Sequence, residues 1–83
     1  MYRVIVTKYA LKELSKIDPL DQQRIFTKIK DLEKGNFSKD KTLKGKHKGK
    51  YRKRVGKYRI IYLKENDILL ITIIRIAHRK EVY

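Results

Sequence analysis

Arg52, Arg54 and Arg59 are spaced so that one tight turn would bring three guanidiniums to the same face of a two-stranded ribbon. The turn is Gly56-Lys57. With glycine at the first central position of a two-residue hairpin loop, Val55 pairs with Tyr58, Arg54 falls opposite Arg59 and Arg52 opposite Ile61. Side chains alternate along a strand, so these arginines project from one face, while Tyr51, Lys53, Val55, Tyr58, Ile60 and Tyr62 project from the other. A guanidinium stays charged at any physiological pH and offers a fork of donors that matches phosphate oxygens. The chemistry such a face suits is the grip on a phosphodiester and the stabilisation of negative charge. Like charges directly opposite one another destabilise a sheet, and local violations of this kind tend to mark functional positions. The plainer alternative is a solvated basic face with no specific role.

The arginines sit in a wider basic window. Eleven of the twenty-one residues from Lys39 to Arg59 are lysine or arginine, against the single acid Asp40, and the whole chain carries a formal charge of +14. Such density costs self-repulsion in a small domain, and a polyanion relieves it by charge neutralisation and counterion release. Nucleic acid is the expected partner class. Within the window Lys44, Lys46, Lys48 and Lys50, with Lys53 on the neighbouring strand, are candidate contacts to nucleic-acid phosphates, positioning the strand without reading sequence. Their plainer role is solubility. His47, among these lysines, reads as solvated or as a phosphate contact.

Other classes of chemistry are poorly supported. There is no cysteine, and His47 and His78 are the only histidines, so neither a disulfide framework nor a metal site is expected, and no cofactor is implied. The longest apolar stretch, Ile68 to Ile76, falls well short of the roughly 20 residues a membrane helix needs, and the N-terminus lacks a signal-peptide pattern. The expectation is a soluble cytoplasmic protein. The 83 residues make one domain, spanning 1–83, with a thin core, since a chain of this size buries only about 60–65% of its unfolded surface.

The elements that must position the arginines follow from pattern. Tyr2 to Thr7 is rich in β-branched residues and predicts a first strand. Thr7 can N-cap a helix in which Leu11 and Leu14 share a face and Ile17 continues the stripe. Asp18-Pro19 ends that helix and starts another, with Asp18 as N-cap and Pro19 at the first helical position, where its missing N–H costs nothing. Ile25, Ile29 and Leu32 recur at helical spacing, and Gly35 is a C-cap. Asn36 to Lys50 loses all periodicity and predicts a basic loop with Leu43 as its one aliphatic anchor. Three strands follow, at Tyr51–Val55, Tyr58–Leu63 and Ile68 to about Ala77. The expected architecture is α+β in the order β-α-α-β-β-β, a helical hairpin packed on a small, mainly antiparallel sheet. Tyr51, Tyr58 and Tyr62 are then core residues rather than a base-stacking platform, because one side of the sheet must pack the helices.

The run Tyr51-Arg52-Lys53-Arg54-Val55-Gly56-Lys57-Tyr58-Arg59-Ile60-Ile61-Tyr62, followed after an apolar strand by Ile76-Ala77-His78-Arg79-Lys80-Glu81-Val82-Tyr83, resembles the C-terminal half of RelE-type toxins of bacterial and archaeal toxin–antitoxin pairs. The initial strand, Ala10 and Leu14, Gln23 to Ile25, and Leu43 with Gly45 fall in the same order, so the resemblance covers the whole chain. It implies the compact microbial-ribonuclease-like fold of that superfamily. It also implies an endonuclease that cleaves mRNA in the ribosomal A site and so inhibits translation, and that a RelB-like antitoxin restrains. The expected antitoxin is acidic and docks through an amphipathic helix or a strand, and the free toxin is expected to be a monomer.

In that family cleavage is metal-free, the mRNA 2′-hydroxyl attacking its own adjacent phosphate. By this resemblance Arg59 and Arg79 match the catalytic arginines, Tyr83 the C-terminal tyrosine, and Arg52 and Arg54 stand where the family has strand lysines. An arginine cannot act as a base at neutral pH, so Arg52 and Arg54 become phosphate and transition-state groups. Tyr83, Lys53 and His78 remain as alternatives for proton transfer, Lys53 facing away from the arginines. An unperturbed imidazole titrates near physiological pH, which favours His78, whose plainer role is to hydrogen-bond backbone at a strand end. Two other functions stay open. One is a ParE-like toxin that inhibits DNA gyrase by protein contact, and the other a catalytically degenerate RNA-binding homologue.

Overall fold

A computed structural model describes residues 1–45 and 49–80 of the chain. The described residues form β1 (Arg3–Val6), α1 (Lys8–Ser15), α2 (Pro19–Glu33), β2 (Lys41–Thr42), β3 (Lys50–Val55), β4 (Tyr58–Glu65) and β5 (Leu70–His78). The strands make one sheet in the order β1-β5-β4-β3-β2, parallel only between β1 and β5. The expected α+β architecture is therefore present. It gains β2, which lies inside the segment expected to be wholly loop.

Local chemistry accounts for the helical hairpin. Thr7 Oγ1 accepts the Ala10 N–H at 3.2 Å, and one carboxylate oxygen of Asp18 accepts the N–H groups of Leu20 and Asp21, both at 3.1 Å. Each satisfies donors that a helix start leaves without partners. The backbone bond from Asp21 is the chief reason the Asp18 carboxyl lies below its ordinary pKa. α2 ends with Lys34 as its cap. Gly35 follows at φ +79°, with its N–H on the Leu32 carbonyl at 3.0 Å and the Asn36 N–H on the Asp31 carbonyl at 2.9 Å. These paired bonds form a Schellman motif, which needs the left-handed conformation glycine adopts without strain.

The hairpin packs on one side of the sheet. Ala10, Leu14, Ile17, Ile25 and Leu32 from the helices meet Val55, Ile60, Tyr62, Ile71, Ile73 and Ile76 from the strands. Leu11 departs from the expected stripe: Ala10, not Leu11, joins Leu14 in the core, and Leu11 is half exposed. Tyr62 is fully buried and stacks on Tyr51, their ring centroids 5.5 Å apart, while Tyr51 and Tyr58 pack partly buried against the same core. The tyrosines are thus core, as their alternation implied.

A bulge in β5 controls what lies beyond it. Ile61 pairs with Arg75 but Tyr62 with Ile73, which leaves Ile74 as the extra residue. The extra residue shifts the alternation by one, so Ile71 and Ile73 face the helices before it and Ile76 does so after it. Ile74 instead joins Leu43, Ile61 and Ala77 in a small apolar cluster on the opposite side of the sheet.

Candidate nucleic-acid interface

The β3–β4 register is the one the spacing predicts. Arg54 pairs with Arg59, Arg52 with Ile61, and Gly56 turns the chain at φ +57°. A positive φ at the first central position is what a type II′ hairpin requires. Arg52, Arg54 and Arg59 therefore share the face that the helices do not cover.

β2 adds a cation to this face. Lys41 pairs with Arg52 in the antiparallel β2–β3 ladder, so one row runs Lys41, Arg52, Ile61 and the next Arg54, Arg59, Ala77. Leu43, which follows β2, is buried against Ile61 and Ala77, and its N–H donates to the Lys50 carbonyl at 2.9 Å. The anchor inferred for Leu43 is present, and it gives the cationic face an apolar floor. Half-buried Arg59 projects from that floor, and exposed Arg54 stands beside it.

Arg79 and His78 separate at the end of β5. His78 pairs with Tyr58, which places it on the helix-covered side. Its ring lies edge-on to Tyr58 at 5.6 Å, and its Nδ1 accepts the Lys80 N–H at 3.3 Å. The expectation that His78 serves the arginine face is corrected: it is a strand-end histidine on the other side of the sheet. Arg79 continues the ladder by one residue, its N–H donating to the Lys57 carbonyl at 2.8 Å. By alternation it returns to the face of Ala77 and Arg59.

Lys53 is also corrected, as a contact to RNA or ribosome and as a base. It is buried, its ammonium donating to Asp40 at 2.9 Å and to the Asn36 carbonyl at 3.2 Å, while the Tyr62 hydroxyl donates to the other Asp40 oxygen at 2.5 Å. Burial, and then the Asp40 hydrogen bond, push the Tyr62 phenol well above its ordinary pKa of 10.0. This network faces the helices and ties the segment before β2 to β3 and β4. Lys44 is exposed and Lys50 half-buried, so both remain available as contacts. Lys46, Lys48, His47 and Tyr83 lie outside the described residues.

Two arrangements went unread in the sequence. The pairing of Lys41 with Arg52 has no signal in the sequence, because a two-residue strand carries no periodicity. The other is Glu13, whose carboxylate accepts the Arg75 guanidinium at 2.8 Å and the Ile76 N–H at 2.9 Å. β1 pairs with β5 only as far as Ile73, so Glu13 satisfies an edge donor that β1 cannot reach. The only signal for it was an acid within a basic helix.

A family model described as the ParE toxin of type II toxin–antitoxin systems matches residues 4–83. Among solved structures, the chain is 30% identical to a chain of the RelB–RelE antitoxin–toxin complex of Methanococcus jannaschii, with a TM-score of 0.75, covering 95% of this chain and 94% of that one. It is 28% identical to a chain of the archaeal RelE–RelB complex of Pyrococcus horikoshii, with a TM-score of 0.74 and 98% of both chains covered. It is equally 28% identical to a chain of the RelBE2 complex of Mycobacterium tuberculosis, with a TM-score of 0.70, covering 94% of this chain and 98% of that one. A comparison with curated proteins found no match. No helix among the described residues is long and apolar enough to cross a membrane. The match over nearly the whole chain and the shared RelE-like fold place this chain in the ParE toxin family, as a toxin of type II toxin–antitoxin systems within the RelE/ParE superfamily.

Proposed function

We propose that this toxin is a ribosome-dependent mRNA endonuclease whose arginine face grips the scissile phosphate. The observation that carries the proposal is the pairing of like charges, Arg54 with Arg59 and Lys41 with Arg52, on a face that the helical hairpin leaves uncovered. Such pairs cost stability in the free protein and are relieved when a phosphate lies between them.

In the proposed reaction the 2′-oxygen of the mRNA forms a bond to its own 3′-phosphorus and the bond from phosphorus to the 5′-oxygen breaks. The products are a 2′,3′-cyclic phosphate and a free 5′-hydroxyl. Charge accumulates on the non-bridging oxygens, where Arg59 and Arg79 donate, while Arg52 and Arg54 hold the phosphate in line. The leaving 5′-oxygen takes up a proton and the 2′-hydroxyl gives one up. Lys53 and His78 lie away from the face, so the family resemblance leaves Tyr83 for proton transfer. A RelB-like antitoxin of acidic character is the proposed restraint, by analogy with the complexes of the similar toxins.

The matching family is described as that of the ParE toxin, and a ParE-like toxin that blocks DNA gyrase by protein contact is the second reading. Primer extension on a defined mRNA, with and without programmed ribosomes, separates the two when run beside a gyrase supercoiling assay. The endonuclease reading expects cuts in the A-site codon that need ribosomes and vanish in an Arg59→Gln, Arg79→Gln variant. Intact mRNA together with lost supercoiling would replace it with the gyrase reading.

A further inference from the structure

A cleft of about 680 Å³ lies beside the β3 edge, between that strand, the segment before β2 and α2. Its rim carries Arg52 and Arg54 from the arginine strand, Lys39 and Lys41 from the preceding segment, and Arg24 and Lys28 from α2. Its floor includes Lys53 and Asp40, whose charges are satisfied by one another at 2.9 Å. The cations on the rim are therefore not neutralised from below.

The α2 cations have only loose partners. Arg24 stands 3.6 Å from Asp21 and Lys28 stands 3.9 Å from Asp31, with the two basic side chains 62% and 45% exposed. Exposed pairs of this kind are worth little and give way readily to a competing anion. Arg24 and Lys28 are one helical turn apart, so they face the same direction, along the cleft. Arg52 and Arg54 belong both to the uncovered face and to the rim, which makes the two cationic surfaces continuous around the edge of β3. β2 ends its pairing at Arg52, so among the described residues no strand pairs with the β3 edge beyond it.

We propose that this cleft is a phosphate groove that carries the RNA strand from the arginine face, around the β3 edge and onto α2, with Arg24 and Lys28 contacting phosphates distant from the cleaved one. The proposal rests on the RNA reading above and adds a second, non-catalytic segment of the strand's path. The residues offer charge and no base-reading geometry, so the groove contributes affinity and direction without sequence preference. The buried Asp40–Lys53 pair holds the groove's wall, because it joins the Lys39–Lys41 segment to β3.

The test uses 2′-O-methyl RNA oligomers, which cannot be cleaved, in a titration across salt concentrations. A trinucleotide is the short probe for the arginine face, and a ten-nucleotide strand is the long probe meant to run on to α2. For the Arg24→Gln, Lys28→Gln variant, the longer strand is expected to bind about tenfold more weakly near physiological salt, its salt slope falling by about 1.4, the share of two single-strand phosphate contacts. The trinucleotide is expected to bind as it does to the native protein. Arg59→Gln is expected to weaken both oligomers. Unchanged binding of the longer strand by the α2 variant, with Arg59→Gln still weakening both, would overturn the groove and leave the RNA reading standing. Failure of both oligomers to bind the native protein would overturn the groove, and primer extension on programmed ribosomes then decides the RNA reading separately. Far-ultraviolet circular dichroism verifies that the variants, changed only at exposed positions, keep the fold.

Discussion

Arg54 stands directly opposite Arg59 across β3 and β4, and in the next row Lys41 stands opposite Arg52. Repulsion between such neighbours costs about 0.2–1 kcal/mol per pair. Arg54→Thr is expected to relieve one pair and raise the melting temperature by a few degrees, since ~1 kcal/mol moves a domain of this size by about 4–8 °C. The same variant is expected to bind RNA more weakly. Repeating the melt in ~1 M salt, where the screening length falls to about 3 Å, should erase the gain. A gain that survives salt would show that packing, and not charge, lies behind it.

The buried Asp40 carboxylate joins Lys53 to Tyr62. Asp40→Ala leaves the Lys53 charge without compensation and is expected to cost about 3–5 kcal/mol, whereas Asp40→Leu combined with Lys53→Met should recover most of that loss. Tyr62 also makes stability depend on pH. Its folded pKa lies above the ordinary value of 10.0, so its contribution is complete below about pH 10. It is lost as pH rises further, because the unfolded chain ionises first. Above pH 10 the native protein should lose about 1.4 kcal/mol per pH unit from this one group, a slope missing in Tyr62→Phe. Urea unfolding between pH 8 and pH 11 measures it, and equal slopes in the two proteins would refute the assignment.

Glu13 closes the edge of β5 where β1 stops, accepting both the Arg75 guanidinium and the Ile76 N–H. Glu13→Ala is expected to destabilise the protein by about 1.5–3 kcal/mol, the range for a hydrogen bond to a charged group. Glu13→Gln, which keeps an oxygen for the Ile76 amide, should lose less. Amide exchange at Ile76 should accelerate strongly in the alanine variant and only modestly in the glutamine one.

His78 and Arg79 are adjacent in sequence and belong to different sides of the sheet. His78→Gln is expected to leave mRNA cleavage within about twofold of the native rate. Arg79→Gln should reduce it by about 100- to 1000-fold, the usual effect of deleting one donor to a charged transition state. Single-turnover cleavage on programmed ribosomes reports both. A large loss in His78→Gln with the fold intact would return the histidine to the mechanism.

The hairpin was legible because its determinants are local. Gly56-Lys57 dictates a two-residue turn, and the turn dictates every pair from Val55–Tyr58 outward. Asp18-Pro19 and Gly35 marked the helix boundaries for the same reason, each acting on backbone groups within a few residues. Leu11 misled because the apolar stripe of a short helix can rotate by one position. Contact with the sheet chose Ala10, whose small side chain permits close approach.

What the sequence by itself determined was the composition and register of the arginine ribbon, the helical hairpin and the α+β order. All of these depend on turns, caps and alternation along contiguous chain. Tertiary structure alone decided which other residues meet that ribbon. β2 has no pattern of its own and exists because Lys53 and Tyr62 hold Asp40, bringing Lys41 opposite Arg52. The bulge at Ile74 arises from fitting Ile71, Ile73 and Ile76 into one core, and its one-residue shift turns His78 toward the helices and Arg79 toward the arginines. A shift of that kind depends on packing between strands distant in sequence, whereas alternation within a single strand carries no record of it.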